Sequence, residues 1–557
     1  MSDYQVLVIG AGPGGTAAAV TAAEFGFHTA IISDERAGGT CLNRGCIPTK
    51  TLLYASGLVR ESEAGEGKGF LSGHNSVDLK GLFNYKETVT GTLSQNSEKQ
   101  FQTLGIDRIC GKATLLADGS VRILETGGEA LDPAGGCAAG EDEAMEEGCA
   151  GDKASAGDKA SAGDKASAWD KASAGDKGLA GDKASAWGKA SAGDKASAGT
   201  DTDPDRTRVL TADHIILATG SVPVLPPIPG IGGLHVLTSD DVLRGPDHLW
   251  SSVVIIGGGV IGVELATFLS DLKVPVTIVE GQKQVLPAMD RELAQNLTRI
   301  MKQGGVTIHT GAMVKEIRDK EDGAEVDFLS RGAVTTVSAE AVICAVGRRP
   351  NTEGLFGEHV APAMDGSRIK VDEYYETSLP HVYAVGDLSS KIQLAHAATA
   401  QGKDCVRMIA GEKPLQSQAA VPACIFTRPE IASVGMSEKQ AKDAGLSPAV
   451  GKAVLFSNAR TLISGADRSF MKVVADKTDG RILGAQLMCS HATEMISEIT
   501  EAVDHGLTVS RMRSVIRPHP TFHEALTDAL EDLEKKLILS GLPHINGSES
   551  QTAPKES

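Results

Sequence analysis

The sequence predicts an α/β protein: two Rossmann-like units followed by a C-terminal α+β module. The apolar run Val6-Leu7-Val8-Ile9 leads into Gly10-Ala11-Gly12-Pro13-Gly14-Gly15, and Val253-Val254-Ile255-Ile256 leads into Gly257-Gly258-Gly259-Val260-Ile261-Gly262. A short strand with no polar position is buried on both faces, as in a parallel sheet covered by helices. From about Ala420 the rhythm changes to strands followed by helices, which predicts a separate α+β module.

Each glycine run supplies the spacing Gly-x-Gly-x-x-Gly between a strand and a helix, at Gly10, Gly12 and Gly15 and again at Gly257, Gly259 and Gly262. Such a turn lets the backbone approach a dinucleotide pyrophosphate resting on the helix N-terminus. An acid that binds ribose hydroxyls is expected at the end of the next strand. After His28-Thr29-Ala30-Ile31-Ile32 that place holds Ser33, with Asp34 and Glu35 following, and Asp34 is the expected ligand. After the second unit, Val276-Thr277-Ile278-Val279 ends in Glu280, eighteen residues past Gly262. A carboxylate there accepts from both ribose hydroxyls and repels a 2′-phosphate. Gly281-Gln282-Lys283-Gln284 lacks the arginines a phosphate would want, so NAD rather than NADP is expected.

Composition narrows the class. The 557 residues carry 54 Lys+Arg against 72 Asp+Glu, a net charge of −18, which disfavours nucleic acid and anionic membranes as partners. No apolar run approaches the ~18 residues needed to span a bilayer. A strand beginning near Gln5 leaves no room for a signal peptide, and nine cysteines, an odd number, suit a reducing compartment. The expectation is a cytoplasmic protein with no metal site.

Between these units the chain is uneven. A helical pattern (Leu82, Val89, Leu93, Phe101) leads to strands near Arg108-Ile109 and Val121-Arg122-Ile123-Leu124. Residues 137–200 contain eight hexapeptide units, mostly Gly-Asp-Lys-Ala-Ser-Ala, with Trp169 and Trp187 each replacing a glycine. So few large apolar side chains cannot offset the entropy of ordering, and a disordered insertion between two hairpin strands is expected. A hexapeptide solenoid would need an inward aliphatic residue in every turn, which the units lack. The polar tail at 543–557 is expected to be disordered as well.

The stretch Gly38-Gly39-Thr40-Cys41-Leu42-Asn43-Arg44-Gly45-Cys46-Ile47-Pro48-Thr49-Lys50 carries the chemistry. Pro48 suits the first turn of a helix, and a thiol at a helix start is favoured as thiolate by the macrodipole. Spacing alone leaves open two unrelated thiols or half of a metal site. The thirteen-residue run, however, resembles the redox-active disulfide of the flavoprotein disulfide reductases, in the form that dihydrolipoamide dehydrogenases carry.

The resemblance spans nearly the whole chain outside residues 130–205, and it implies an FAD-binding domain at 1–136, 201–229 and 349–418. It places an NAD-binding domain at 230–348 and an interface domain at 419–542. It makes Cys41 and Cys46 the disulfide and pairs Lys50 with Glu264 beside the flavin. Thr219-Gly220 and Gly386-Asp387 become FAD contacts, with Asp387 on a ribityl hydroxyl. Gly347 ends the NAD domain, and His396 lies on a helix packed under the flavin. His519, in Arg517-Pro518-His519-Pro520-Thr521-Phe522-His523-Glu524, becomes the base for a substrate dithiol, oriented by Glu524. Without the resemblance, His519 reads as a surface-turn residue, Glu524 with Thr521 as a capping box, and Asp387 as a strand-end turn.

The function implied is oxidation of protein-bound dihydrolipoamide by NAD+ in a homodimer, serving a lipoyl-bearing protein of a 2-oxoacid dehydrogenase or glycine cleavage complex. A glutathione-type reductase would want arginines after Glu280, and a mercuric reductase a cysteine pair beyond Cys489. A catalytically silent flavin- and NAD-binding redox sensor would have no need of a substrate base.

Overall fold

The two buried strands of the glycine units found two separate sheets. In the computed structural model, which describes residues 2–73, 76–126, 207–415, 420–465 and 468–541, Tyr4–Ile9 lies at the centre of the parallel part of a seven-stranded sheet. Thr29–Ser33 and Ala212–Leu217 flank it, both parallel, and Val382–Ala384 and Asp107–Leu115 extend the parallel part on either side. Asp107–Leu115 then turns the sheet into an antiparallel meander with Val121–Glu125 and Thr207–Leu210. The last two strands pair Val121 with Leu210 and Leu124 with Thr207, so the chain leaves and re-enters through one hairpin. The expected disordered insertion at 137–200 and the expected tail at 543–557 lie outside the described residues.

The second sheet is parallel throughout, in the order Thr307–Thr310, Val276–Glu280, Val253–Ile256, Ala341–Cys344, Val236–Thr238. A three-stranded antiparallel sheet (Met313–Lys320, Gly323–Ser330, Ala333–Ala339) packs on one face, and the helices Val260–Asp271 and Arg291–Gln303 lie against the rest of the unit. The C-terminal module is a five-stranded antiparallel sheet covered by helices Ala492–Asp504 and Glu524–Leu539, with Ile496, Ile499, Leu526, Leu530 and Leu533 in its core.

One apolar cluster joins all three parts. Leu52 and Leu53 from the helix Cys46–Gly67 meet Leu265 and Phe268 of the second sheet's helix and Ile425, Ile431 and Phe470 of the C-terminal sheet. Elsewhere the contact is backbone to backbone. The helix Ala395–Ile409 crosses the helix Pro13–Glu24 at Gly402, where a Cβ would stand 2.2 Å from the Gly14 carbonyl oxygen. Gly402→Ala is therefore expected to cost about 1–3 kcal/mol through forced separation of the helices, read as a fall in Tm. An unchanged Tm would show that the crossing has slack.

Candidate active site

The two cysteines sit at a break between helices. Cys41 lies in the short helix Gly39–Arg44, and Cys46 is the first residue of the long helix Cys46–Gly67, as its position before Pro48 predicts. Gly38 takes φ 108° and Gly39 φ 53°, in the left-handed region that a side chain would disfavour. Both cysteines are present as thiols, so the structure describes the reduced pair. The Cys41 thiol donates a hydrogen bond to the Cys46 sulfur. That bond, aided by the charge of Lys50, brings the Cys46 thiol down to about 7 against the opposing effects of burial and Glu264. The same bond, with burial, holds Cys41 well above the ordinary thiol range. In the reduced pair Cys46 is the member that ionises.

One turn beyond Cys46, Lys50 Nζ donates to Glu264 Oε2 at 2.8 Å and lies 4.8 Å above the Phe426 ring. Glu264 is 2% exposed, and its other oxygen accepts from the Phe426 backbone N–H at 2.9 Å. Both oxygens of this buried carboxylate are therefore hydrogen-bonded.

The two glycine turns are built alike. A Cβ at Gly10 would stand 2.3 Å from the Ala218 carbonyl oxygen, and one at Gly257 2.5 Å from that of Ala345. Gly15 and Gly262 would each collide with the first glycine of their own turn, at 1.8 Å and 2.1 Å. The middle glycines differ: a Cβ at Gly12 or Gly259 would meet nothing within 4 Å and would project into open space. Both line a cavity of about 1650 Å³ that also reaches Asp34, Cys41, Cys46 and Glu280. Two bare backbone cradles at helix N-termini, opening on one cavity with the cysteine pair, fit two dinucleotides.

Around the first cradle, Arg44 grips Glu35 with both guanidinium nitrogens, one at 2.6 Å from Oε2. That leaves Asp34 as the cavity-lining carboxylate not so engaged, with Lys112 Nζ 4.0 Å away. Thr219 donates to the Asn351 carbonyl at 2.6 Å, and Gly220 takes φ 71°. Gly386 takes φ 68°, and its N–H donates to Gln401 Oε1 at 2.9 Å. Burial raises the neighbouring Asp387 carboxyl above its ordinary value, opposed by the Ser221 hydroxyl, which donates to it at 2.5 Å, and by Arg348. His396 also lines the cavity, with Nε2 2.8 Å from the Pro422 carbonyl oxygen. At the second cradle, Glu280 is buried at the strand end and accepts from the Gly258 and Gln282 N–H groups, each at 2.5 Å. Gly347, with φ 137°, borders the same cavity.

The structure adds residues that the sequence did not single out. Asp240 bridges Arg44 Nε at 3.1 Å and Arg348 NH1 at 3.2 Å, and Arg348 Nε donates to Ser221 at 3.0 Å. This network links Glu35, Arg44, Arg348, Ser221 and Asp387, which line the cavity, through Asp240. Its partners are scattered over 350 residues, so no local spacing reveals it. Cys424 also lines the cavity, its thiol pushed up to about 11 by burial.

His519 and Glu524 are brought together, with Nδ1 2.8 Å from Oε1. The Thr521 N–H donates to Glu524 Oε2 at 2.9 Å, and this bond, then His519, lowers the Glu524 carboxyl. The expected capping box is only half made. Thr521 Oγ1 donates instead to Pro518, because the helix starts at Glu524 itself and leaves Thr521 outside the cap position. Neither His519 nor Glu524 lines the cavity that holds Cys41 and Cys46, and the His519 side chain is 73% exposed.

Comparison with known proteins matches residues 4–402 to the pyridine nucleotide-disulphide oxidoreductase family and residues 421–530 to that family's dimerisation domain. Dihydrolipoyl dehydrogenase of Bacillus subtilis is 30% identical over 532 residues, 95% of this chain and 96% of its own. That of Haloferax volcanii is 31% identical over 531 residues, with coverage of 95% and 96%. The HOCl-induced flavoprotein disulfide reductase RclA of Escherichia coli, solved as a Cu(II) complex, superposes with a TM-score of 0.72 at 26% identity, covering 95% of this chain and 99% of its own. LpdA of Mycobacterium tuberculosis shares the fold, with a TM-score of 0.74 at 24% identity over 95% of this chain and 99% of its own. The twin glycine cradles, the cysteine pair and these matches agree: the chain belongs to the pyridine nucleotide-disulphide oxidoreductase family, whose cofactors are FAD and NAD(H).

Proposed function

We propose that the protein is a dihydrolipoyl dehydrogenase, oxidising protein-bound dihydrolipoamide with NAD+ as a homodimer. The observation that carries this reading is the His519–Glu524 pair, an imidazole oriented by a carboxylate on a domain assigned to dimerisation. The names of the relatives at 30–31% identity support the substrate. FAD would rest on Gly10, Gly12 and Gly15, with Asp34 on its ribose and Lys50, Thr219, Gly220, Gly386 and Asp387 along its length. NAD would rest on Gly257, Gly259 and Gly262, with Glu280 on its ribose and Gly347 beside it.

In this reading His519 takes the proton of one substrate thiol, and Glu524 holds the imidazole in the matching tautomer and stabilises its charge. The substrate thiolate attacks Cys41 of the oxidised pair, and the Cys41–Cys46 bond breaks with its electrons on Cys46. Lys50 favours that thiolate. The second substrate thiol, once deprotonated, closes the substrate disulfide and releases Cys41. Bound FAD would supply the acceptor for the electron pair of the reduced cysteines, whose protons are released, and bound NAD+ the acceptor that finally takes that pair as hydride. Because His519 does not face the cysteine cavity of its own chain, the homodimer supplies it from the other subunit. Phe456, Leu462, Ile463 and Ile516, all exposed in the single chain and on the same module, suit a covered face.

NADH oxidation with lipoamide, oxidised glutathione, Hg(II) and Cu(II), measured side by side, tests the substrate. Lipoamide should give the largest kcat/KM, and a metal ion or glutathione in first place would replace this reading with another reductase of the family.

NAD should be preferred over NADP by at least roughly tenfold, since Glu280 facing a 2′-phosphate costs on the order of 1–3 kcal/mol. Equal kcat/KM for the two would remove Glu280 from the ribose.

His519→Gln should lower dithiol oxidation by about 10²- to 10⁴-fold, with flavin content and reduction by NADH retained. Mixing it with Cys41→Ser chains, inactive alone, should restore turnover in hybrid dimers. Hybrids shown by mass but without activity would place base and disulfide on one chain.

A further inference from the structure

The helix that carries Cys46 and Lys50 meets the helix that carries Glu264 at a second, deeper point. Asp271 lies seven residues after Glu264 on Val260–Asp271, about two turns or roughly 10 Å further along the axis. It is 5% exposed. Its Oδ2 accepts from Arg428 Nε at 2.8 Å and from Ser56 Oγ at 3.2 Å, and Arg60 NH1 stands 3.8 Å from Oδ1. Arg428 also donates to the Leu53 carbonyl. Its guanidinium lies against Gly57, seven residues after Lys50, where a Cβ would come within 2.4 Å of NH2. The pattern is a ladder with two rungs. In each, a buried carboxylate of one helix is bound by a side chain of the cysteine helix and by the segment Phe426-Thr427-Arg428, through a backbone N–H at Glu264 and a guanidinium at Asp271.

We propose that Arg428 is a positioning residue: with Asp271, Ser56 and Gly57 it forms the second rung of a clamp that fixes the Lys50–Glu264 pair beside Cys46. A buried carboxylate that loses its guanidinium either takes a proton or pulls its helix toward water, since Ser56 and a distant Arg60 cannot replace a charge-assisted bond. Either change is transmitted along a rigid helix to Glu264, two turns away. The titratable and charged groups around Cys46 are the Cys41 thiol, Lys50 on its own helix and Glu264 from the facing one. With Lys50 displaced, the thiolate loses its cation and Cys46 ionises at higher pH. This inference goes beyond the proposed reaction and does not depend on which disulfide is turned over.

The test uses the flavin-loaded Cys41→Ser protein, in which a serine hydroxyl can still donate to Cys46. Its Cys46 ionisation is titrated by ultraviolet thiolate absorbance, with the Cys41→Ser/Cys46→Ser protein subtracted. Adding Arg428→Met should raise the midpoint by roughly half a unit or more. Adding Asp271→Asn to that variant removes the unpaired charge and should return the midpoint toward the parent, while Arg428→Lys should hold it near the parent. Ser56→Ala, which removes one bond only, should shift it less and in the same direction. Lys472→Met is the control. Lys472 is buried and paired with Asp290 and Glu292 at another junction of the second sheet's unit with the C-terminal module. It should lower Tm without moving the midpoint. An unmoved midpoint in both Arg428→Met and Ser56→Ala, or an equal shift in Lys472→Met, overturns the clamp.

Discussion

The structure around the cysteine pair depends on one buried carboxylate. Glu264 comes from the second parallel-sheet unit, Lys50 from the helix that begins at Cys46, and the Phe426 N–H from the C-terminal module. A carboxylate at 2% exposure is tolerable only when its oxygens are hydrogen-bonded, and removal of one partner of such a buried pair costs about 3–5 kcal/mol. The three parts of the chain are therefore held in one arrangement where the ionisation of Cys46 is set. The apolar cluster of Leu52, Leu53, Leu265 and Ile425 supplies the bulk of the contact there. It excludes water but fixes no register. The carboxylate bonds do that.

The division of labour between the two thiols follows from the break at Gly45. Cys46 starts a helix and faces a cation one turn on, so its charge is favoured. Cys41 sits in the preceding helix with its proton committed to Cys46. A symmetric pair would share ionisation and could not direct attack. Here the helix start and the cation favour charge on Cys46 rather than on Cys41.

The duplicated glycine turns show the same economy. In each, two glycines are required because backbone oxygens stand where a Cβ would be, while the middle one faces open space in the cavity. The ion network from Glu35 to Asp387 ties Arg44, within the cysteine motif, to Arg348, which begins the short strand Arg348–Pro350 paired with Ser221–Pro223. Opposite charges that bridge three segments lining one cavity fix its walls without filling it.

The sequence by itself determined the two sheet-forming glycine units and the place of Glu280 at the end of the strand that follows the second, because each lies in a short run whose spacing has one stereochemical use; Lys50, His519 and the pairing of Cys41 with Cys46 were legible only through the family resemblance of their runs. Gly10 and Gly257 are legible for that reason: the turn that needs them is local. The helix start at Glu524 was not legible, since Thr521 spends its hydroxyl on Pro518 rather than on a cap. Only the tertiary structure decided that Glu35 is taken by Arg44 and Asp34 left to the cavity, that Arg348 reaches Ser221, and that Asp271 meets Arg428 across 157 residues. Such pairs are fixed by how helices cross and where water is excluded, and burial of a charge at a crossing leaves no periodic trace in the chain.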